Sequence, residues 1–327
     1  MRVSYQELYD ALLRALSETG LDVDRARLCA RLVADASRDG VASHGLNLFP
    51  RLITMIRTGV VDVEARPVRV SAHGALERWD GQRGIGTLNA YESMDAAIAL
   101  ARVHGIGCVA LANTNHWMRG GTYGWQAADA GVIGLCWTNT MPNMPPWGAD
   151  TPRIGNNPLV IAVPRARGHV VLDMAMSQFS YGALAGYRAR GERLPVPGGF
   201  DREGRLSEDA AEIQASGRLL PIGFWKGSGL SILLDLAAAI LSGGRATHEI
   251  PAHAEQEAGL SQVFIAFDVS ALGDGEMTRM ADHVVASLQT RYPGERTLAT
   301  RARHLRDGID VDQAAWRFAE SCAATSA

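Results

Sequence analysis

Apolar residues recur with a helical period up to Gly59 and then give way to short β-branched runs between further helices, a change that points to an α/β layer carrying a separate helical part. Ser4 with Glu7 fits a capping box, and Leu8, Leu12, Leu13 and Leu16 line one face of a helix that stops at Gly20. Asp24 can start a second helix, with Leu28, Leu32 and Val33 on its apolar side. A third runs from the stretch around His44 to Gly59, with Leu52, Ile53 and Ile56 facing inward. Three helices with no strand between them predict a helical cap of about seventy residues.

Beyond a glycine-rich turn at 79–86, a helix at 88–104 leads into apolar runs at 106–112, 132–137, 159–163 and 169–173. A short helix at 123–130 separates the first two runs, and a strand at 262–267 lies between helices at 229–241 and 277–288. This alternation predicts an α/β domain over 76–294, with a helical domain built from 1–75 together with 295–327. The polar segment between Arg188 and Arg218 contains glycine and proline and is long enough to be functional or mobile.

Composition narrows the partners. The chain of 327 residues, 47% apolar and 20% charged, can bury a substantial core in one large domain or two ordinary ones. A net charge of -3 argues against nucleic acid as a partner and leaves small molecules, including small anions. Cys29, Cys108, Cys136 and Cys322 form no C-x-x-C pair and are expected as buried free thiols in a reducing compartment. The chain starts directly on an amphipathic helix, and its most apolar run, Ile232 to Leu241, is short and broken by Asp235. Together these predict a cytoplasmic protein with no membrane partner.

The stretch from Asp39 to Arg51 is the first candidate for chemistry. Ser43 and Asn47 can each cap a helix, and Pro50 fits only in a first turn. His44 then stands at or just before the helix start, where an imidazole can give or take a proton near neutral pH. If the helix starts at or before His44, Leu48 lies one turn further along the same face. On this stretch alone, an ordinary loop histidine beside a capping serine is the stronger reading.

Common cofactor and catalytic signatures are missing. Gly105-Ile106-Gly107 leads into a strand, which is the wrong geometry for a dinucleotide fingerprint and reads as a helix C-cap. No Walker loop, no His-Glu-x-x-His zinc pair and no G-x-S-x-G elbow is present, so no metal is expected. Lys226-Gly227-Ser228-Gly229 could hold an anion at a helix start, or Ser228 could be a plain N-cap. Asn115-His116-Trp117-Met118-Arg119 closes one strand, and Trp137-Thr138-Asn139-Thr140 closes the next. Two such clusters at consecutive strand ends favour a pocket.

These blocks carry a resemblance. Ser43-His44-Gly45, Asn115-His116-Trp117, Gly155-Asn156-Asn157-Pro158, Asp173-Met174-Ala175 and Lys226-Gly227 resemble, in order, the signatures of the malate/L-lactate dehydrogenase family that lacks the Rossmann fold. The resemblance implies an α/β fold with a non-Rossmann mixed sheet, flanking helices and a helical part from both chain ends. It implies a homodimeric NAD(P)H-dependent reductase of 2-oxo acids or related ketones and imines, with NADH favoured and NADPH as the alternative. His44 matches the family's general acid, and Ser43 the residue assisting it. His116, Arg119, Thr140 and position 48 match the substrate pocket. Cofactor segments match Val170, Val171, Leu172, Asp173, Met174, Ala175 and Met176, then Trp225 with Lys226, then Gly294, Glu295 and Arg296. Arg188 and Arg190 are placed where they could instead meet a ribose phosphate.

One departure stands out: Leu48 replaces the arginine that usually holds the substrate carboxylate. It suggests an altered substrate. It is also the only support for a non-catalytic cofactor-binding homologue. A cyclic-imine reductase of the same fold is the remaining alternative, since imine reduction also needs a hydride and a proton.

Overall fold

The computed structural model describes residues 1–322, so 323–327 of the expected C-terminal helical segment lie outside the described residues. The chain opens with β1 (Arg2–Val3), α1 (Tyr5–Ser17) and α2 (Val23–Arg38). Ser4 Oγ accepts the Glu7 N–H at 3.2 Å, and the Glu7 carboxylate accepts the Ser4 N–H at 2.7 Å, the reciprocal cap expected of S-x-x-E. α2 starts earlier than Asp24, because the Asp22 carboxylate takes the Arg25 N–H and caps the first turn.

The expected third helix is broken. Ala42–His44 and Leu46–Leu48 form two separate single turns, and α3 (Phe49–Arg57) begins only after them, with Pro50 in its first turn. Gly45 causes the break: its ψ of -123° is not helical, and a Cβ there would collide with Ser37 Oγ on α2. Neither Ser43 nor Asn47 caps α3, whose N-cap is Leu48 with no side-chain bond.

A hairpin follows, β2 (Val68–His73) and β3 (Leu76–Asp80), then α4 (Gly86–His104), β4 (Ile106–Asn115), α5 (Gly121–Asp129), β5 (Val132–Thr138), β6 (Leu159–Val163) and β7 (Val170–Met174). The polar segment expected as a loop is a small folded lobe, with α6 (Tyr181–Arg190), β8 (Gly199–Phe200), β9 (Leu206–Ser207) and α7 (Ala210–Ser216). The chain ends with α8 (Trp225–Ser242), β10 (Ala258–Asp268), α9 (Asp274–Ser287), α10 (Glu295–Asp307), β11 (Ile309–Asp310) and α11 (Gln313–Cys322).

Seven strands form one mixed sheet in the order β2-β3-β4-β10-β5-β6-β7. Only β3–β4 is parallel, and every other pairing in it is antiparallel. Successive residues of β10 serve opposite faces: Phe264 and Ala266 pack with α4 and α5, whereas Val263 and Ile265 pack with α8. α8 has mean hydropathy 1.2 over 18 residues, and its inner polar groups Ser231 and Asp235 are bound to the fold. Asp235 accepts from Asn139 Nδ2 and the Thr247 N–H, each at 2.9 Å, and Ser231 Oγ reaches the Gly155 carbonyl.

A third core joins α1, α2 and α3 to Ile309, Val311 and Trp316, and the chain ends meet where β1 pairs with β11. The boundary expected at residue 75 falls in the turn of the β2–β3 hairpin.

Asp39, at the C-terminus of α2, holds this helical part against the sheet. Its buried carboxylate receives Arg38 Nε at 2.9 Å, Arg119 Nη1 at 2.7 Å from the turn after β4, and Arg301 Nε and Nη2, each at 2.8 Å, from α10. Burial alone would raise its pKa, but the Arg301, Arg119 and Arg38 guanidiniums outweigh it and hold the carboxyl at about 2. Asp39→Asn strands the Arg119 and Arg301 guanidiniums, leaving Arg38 to Asp35, and should cost about 3–5 kcal/mol at neutral pH, measured by chemical denaturation. The folded pKa lies below the unfolded one, so the titratable share, about 2 kcal/mol, is complete above about pH 4 and is lost as pH falls toward 2. The native protein should therefore lose stability over that window faster than the variant does. Parallel curves would remove Asp39 from the account.

Candidate active site

Two imidazoles face each other where the helical part meets the sheet. His44 ends the first single turn after α2, and His116 follows β4, with ring centroids 6.0 Å apart and planes 19° from parallel. Ser43 Oγ lies 3.0 Å from His44 Nδ1. α6 closes over Ser43 so tightly that a Cβ on Gly182 would stand 2.7 Å from Ser43 Cβ. Met118 takes a φ of +61°, a sparsely populated region for a residue with a side chain, and its N–H donates to His116 Nδ1 at 3.0 Å. Nδ1 is thus the acceptor, and in the neutral ring the proton sits on Nε2.

Both rings are biased toward the neutral form, by different balances. Burial pushes His116 down to about 4, helped by Arg51 and His44 against the opposing Glu257. Burial also lowers His44, with Asp173 pulling it back up and Arg119 and Arg51 pushing it further down.

Beside His116 lies a small cavity of about 10 Å³ with an apolar wall of Leu48, Leu52, Met55, Val61 and Met118 and a polar side of Arg51, Asn115 and His116. Leu48 reaches it from the second single turn, not along one continuous helix as expected. Arg51 Nη2 pairs with the buried Glu257 at 2.7 Å. The Asn115 amide is turned away to the Arg83 and Gly84 carbonyls.

The remaining residues expected in the substrate pocket, Arg119 and Thr140, do not line this cavity. Arg119 is buried with its Nη1 on Asp39, and Thr140 Oγ1 is bonded to the Asn156 side chain at 3.1 Å. Glu257 escaped the sequence analysis because it lies in a polar run 206 residues from Arg51, and no spacing rule links the two. Gly182 gave only the weak signal of a glycine near a helix start.

The expected cofactor segments converge on β7. Within Val170, Val171, Leu172, Asp173 and Met174, the Val171 N–H donates to the Pro293 carbonyl at 2.9 Å. Gly294, at φ +98°, approaches closely enough that a Cβ would lie 3.2 Å from both His169 O and Val171 N. Glu295 and Arg296 open α10 from there, and Glu295 Oε2 is buried with no partner. Past β7 and Ala175, Met176 accepts the Ile222 N–H at 2.8 Å, which brings in the turn leading to Trp225 and Lys226. Those two begin α8, both exposed, with the ammonium 5.9 Å from the indole centroid. Ser228 is not an N-cap: it lies inside α8 and its Oγ accepts the Trp147 N–H at 3.0 Å. Asp173 Oδ2 accepts the Gly121 N–H at 2.8 Å at the start of α5. A backbone brought this close at Gly294, an orphaned carboxylate oxygen and an exposed cation at a helix start suit a dinucleotide. Arg188 and Arg190 are engaged elsewhere, on Gln214 at 3.1 Å and Glu192 at 2.8 Å.

Comparison with known proteins places this arrangement. Residues 3–318 match the malate/L-lactate dehydrogenase family. The chain is 46% identical to the 2,3-diketo-L-gulonate reductases of Shigella boydii and of Escherichia coli K12, over 97% of this chain and 98% of each relative. Among solved structures, sulfolactate dehydrogenase from Methanocaldococcus jannaschii superposes with TM-score 0.90 at 25% identity, covering 98% of this chain and 96% of that one. Δ1-Piperideine-2-carboxylate reductase from Pseudomonas syringae superposes with TM-score 0.89 at 30% identity, covering 98% and 99%. The chain belongs to the malate/L-lactate dehydrogenase family and is an oxidoreductase of CH–OH and C=O groups.

Proposed function

We propose that this chain is a pyridine-nucleotide-dependent reductase of small 2-oxo compounds, similar to 2,3-diketo-L-gulonate reductase, in which His44 delivers the proton. The observation that carries this reading is the pair of unlike, facing imidazoles, with Ser43 on one and a backbone N–H on the other, the second of which lines the cavity. A bound dihydronicotinamide would supply the hydride to the carbonyl carbon. The oxygen then carries the negative charge, and His44 Nε2–H neutralises it by giving up its proton. Ser43 holds Nδ1 and orients the ring. His116 Nε2–H donates a hydrogen bond to a substrate oxygen and stays uncharged. His44→Ala should lower kcat by about a hundredfold to ten-thousandfold while leaving nucleotide binding in place. Because the donor must be protonated, kcat/KM for reduction should be highest at acid pH. It should fall as pH rises through an inflection below the ordinary histidine range. Turnover and a pH profile that survive His44→Ala would take the proton from another group.

NADH is the favoured cofactor. The Glu295 carboxylate beside β7, with its buried unpartnered oxygen, can accept from ribose hydroxyls and repels a ribose phosphate. In calorimetric titrations the native protein should bind NADH more tightly than NADPH, and Glu295→Gln should narrow that gap by about tenfold. Tighter NADPH binding by the native protein reverses the assignment.

Leu48 gives the cavity an apolar wall where the family resemblance implies an arginine, which favours a substrate less charged on that side. A panel of 2-oxo acids, neutral ketones and cyclic imines tests the reaction class. The apolar stripe of α8, with Leu233 64% and Ile240 74% exposed beside Trp225 and Leu236, supports a homodimer closed by a second copy of this helix. Leu233→Glu with Ile240→Glu should yield monomers in sedimentation analysis, and dimers that persist would place the interface elsewhere. Cys29, Cys108, Cys136 and Cys322 form no disulfide among the described residues, which fits a reducing, cytoplasmic setting.

A further inference from the structure

A second cavity lies between the outer faces of α1 and α2 and shares no residue with the one beside His116. Its volume is about 420 Å³, and it is lined by Tyr5, Gln6 and Tyr9 from α1 and by Arg27, Leu28 and Arg31 from α2. Tyr5 and Tyr9 stand one helical turn apart, as do Arg27 and Arg31, so two rings face two guanidiniums across a groove. Half-buried Leu28 completes the apolar part of the α2 side. Small-molecule clefts run from about 300 to 1,000 Å³, so the space can receive a ligand of modest size.

The walls set the chemistry of that ligand. The Tyr5 hydroxyl donates to Asp35 and the Gln6 amide to Asp10, each at 2.8 Å, so α1 offers chiefly ring surface. The two guanidiniums differ. Arg27 pairs with Asp24 at 3.0 Å. Arg31 has no carboxylate within ion-pair distance among the described residues; it lies over Tyr91, 5.7 Å from the ring centroid, with Nη2 3.4 Å from the hydroxyl. The acids that could oppose it are engaged, Asp35 by Tyr5 and Arg38, and Asp95 by Gln126. The groove therefore presents flat apolar surface and one positive charge that no acid pairs. A di- or triphosphate brings more negative charge than one such guanidinium balances, whereas a single carboxylate matches it.

We propose that this groove is a ligand site distinct from the active site and that its ligand is a small aromatic monocarboxylate, with the ring against Tyr5, Tyr9 and Leu28 and the carboxylate on Arg31. The site stands independently of the reductase reading. Tyr5 also gives it a link to the rest of the fold. Asp35, which accepts the Tyr5 hydroxyl, takes Arg38 Nη1 at 2.7 Å, and Arg38 Nε reaches Asp39 at 2.9 Å. A ligand packed on Tyr5 thus rests on the first member of a chain that ends at the Asp39 clamp, and its binding to the folded protein raises Tm.

The test is calorimetric titration of the full chain with a matched pair, 2-naphthoate and its neutral amide, 2-naphthamide. The native protein should bind the acid more tightly than the amide, and added salt should narrow the difference. Arg31→Met should weaken 2-naphthoate by about tenfold and leave 2-naphthamide unchanged, so that the preference disappears. Tyr9→Ala should weaken both compounds together. Arg31 is exposed on α2, and Arg31→Gln serves as the second variant if Arg31→Met fails to fold. Thermal melts should show a higher Tm for the native protein with 2-naphthoate and a smaller rise for either Arg31 variant. No binding of 2-naphthoate at millimolar concentration overturns the proposal, as does equal binding of acid and amide by the native protein. Undiminished 2-naphthoate binding in a folded Arg31 variant places the ligand elsewhere and also overturns it. So does affinity that falls as protein concentration rises, since a second copy of the chain would then be the occupant.

Discussion

A single buried carboxylate organises this molecule. Asp39 collects guanidiniums from α2, from the turn after β4 and from α10, three segments that are far apart in sequence. Each segment also carries part of the site: His44 lies five residues past Asp39, His116 three before Arg119, and Glu295 six before Arg301. The helical part, the turn carrying His116 and the start of α10 are therefore set against one another through one group. Asp35 adds a second carboxylate on Arg38, so three guanidiniums face two acids and the cluster keeps a positive balance. Arg119 extends that balance toward His44, where it opposes protonation.

The two imidazoles illustrate how like side chains acquire unlike duties. Both are drawn out of water, which disfavours their charged forms. His116 has a further constraint, because its Nδ1 already accepts a backbone N–H. Protonating that nitrogen would set one donor against another, and the Met118 peptide cannot turn round. His44 Nδ1 instead faces a hydroxyl, which donates in one rotation and accepts in another. Ser43 can therefore serve His44 in either protonation state. Gly182 contributes by leaving room for α6 to close against that serine.

What could be read from residues alone was mainly local. Ser4 with Glu7, Gly105 ending α4 and the run forming β6 all depend on neighbours within a few positions, and the structure has each of them in place. β2 was missed because all six of its residues are exposed at a sheet edge, so no buried face imposes alternation on them. The unbroken third helix failed for a tertiary reason, since Gly45 must fit against Ser37 of α2 and gives up helical geometry to do so. The pairing of β10 between β4 and β5 likewise has no local signal. In the site, His44 and Ser43 were legible as adjacent residues, whereas Arg119 pointing to Asp39 and Glu257 covering Arg51 are pairings across the fold.

The same distinction explains why strong likeness over the whole chain does not carry a substrate with it. The parts proposed to hold a hydride donor and a proton donor are spread over β7, α8, α10 and the turn at His44, and such a pair would tolerate little movement relative to one another. The cavity wall is a different matter. Leu48 sits on a single turn beyond Gly45, so its side chain can change without disturbing the helix on either side. Exchanging arginine for leucine there removes a charge from the wall and leaves Asp39, Ser43 and His116 in their own networks. Chemistry and specificity thus occupy separate physical supports, a rigid charged clamp for one and a short apolar turn for the other.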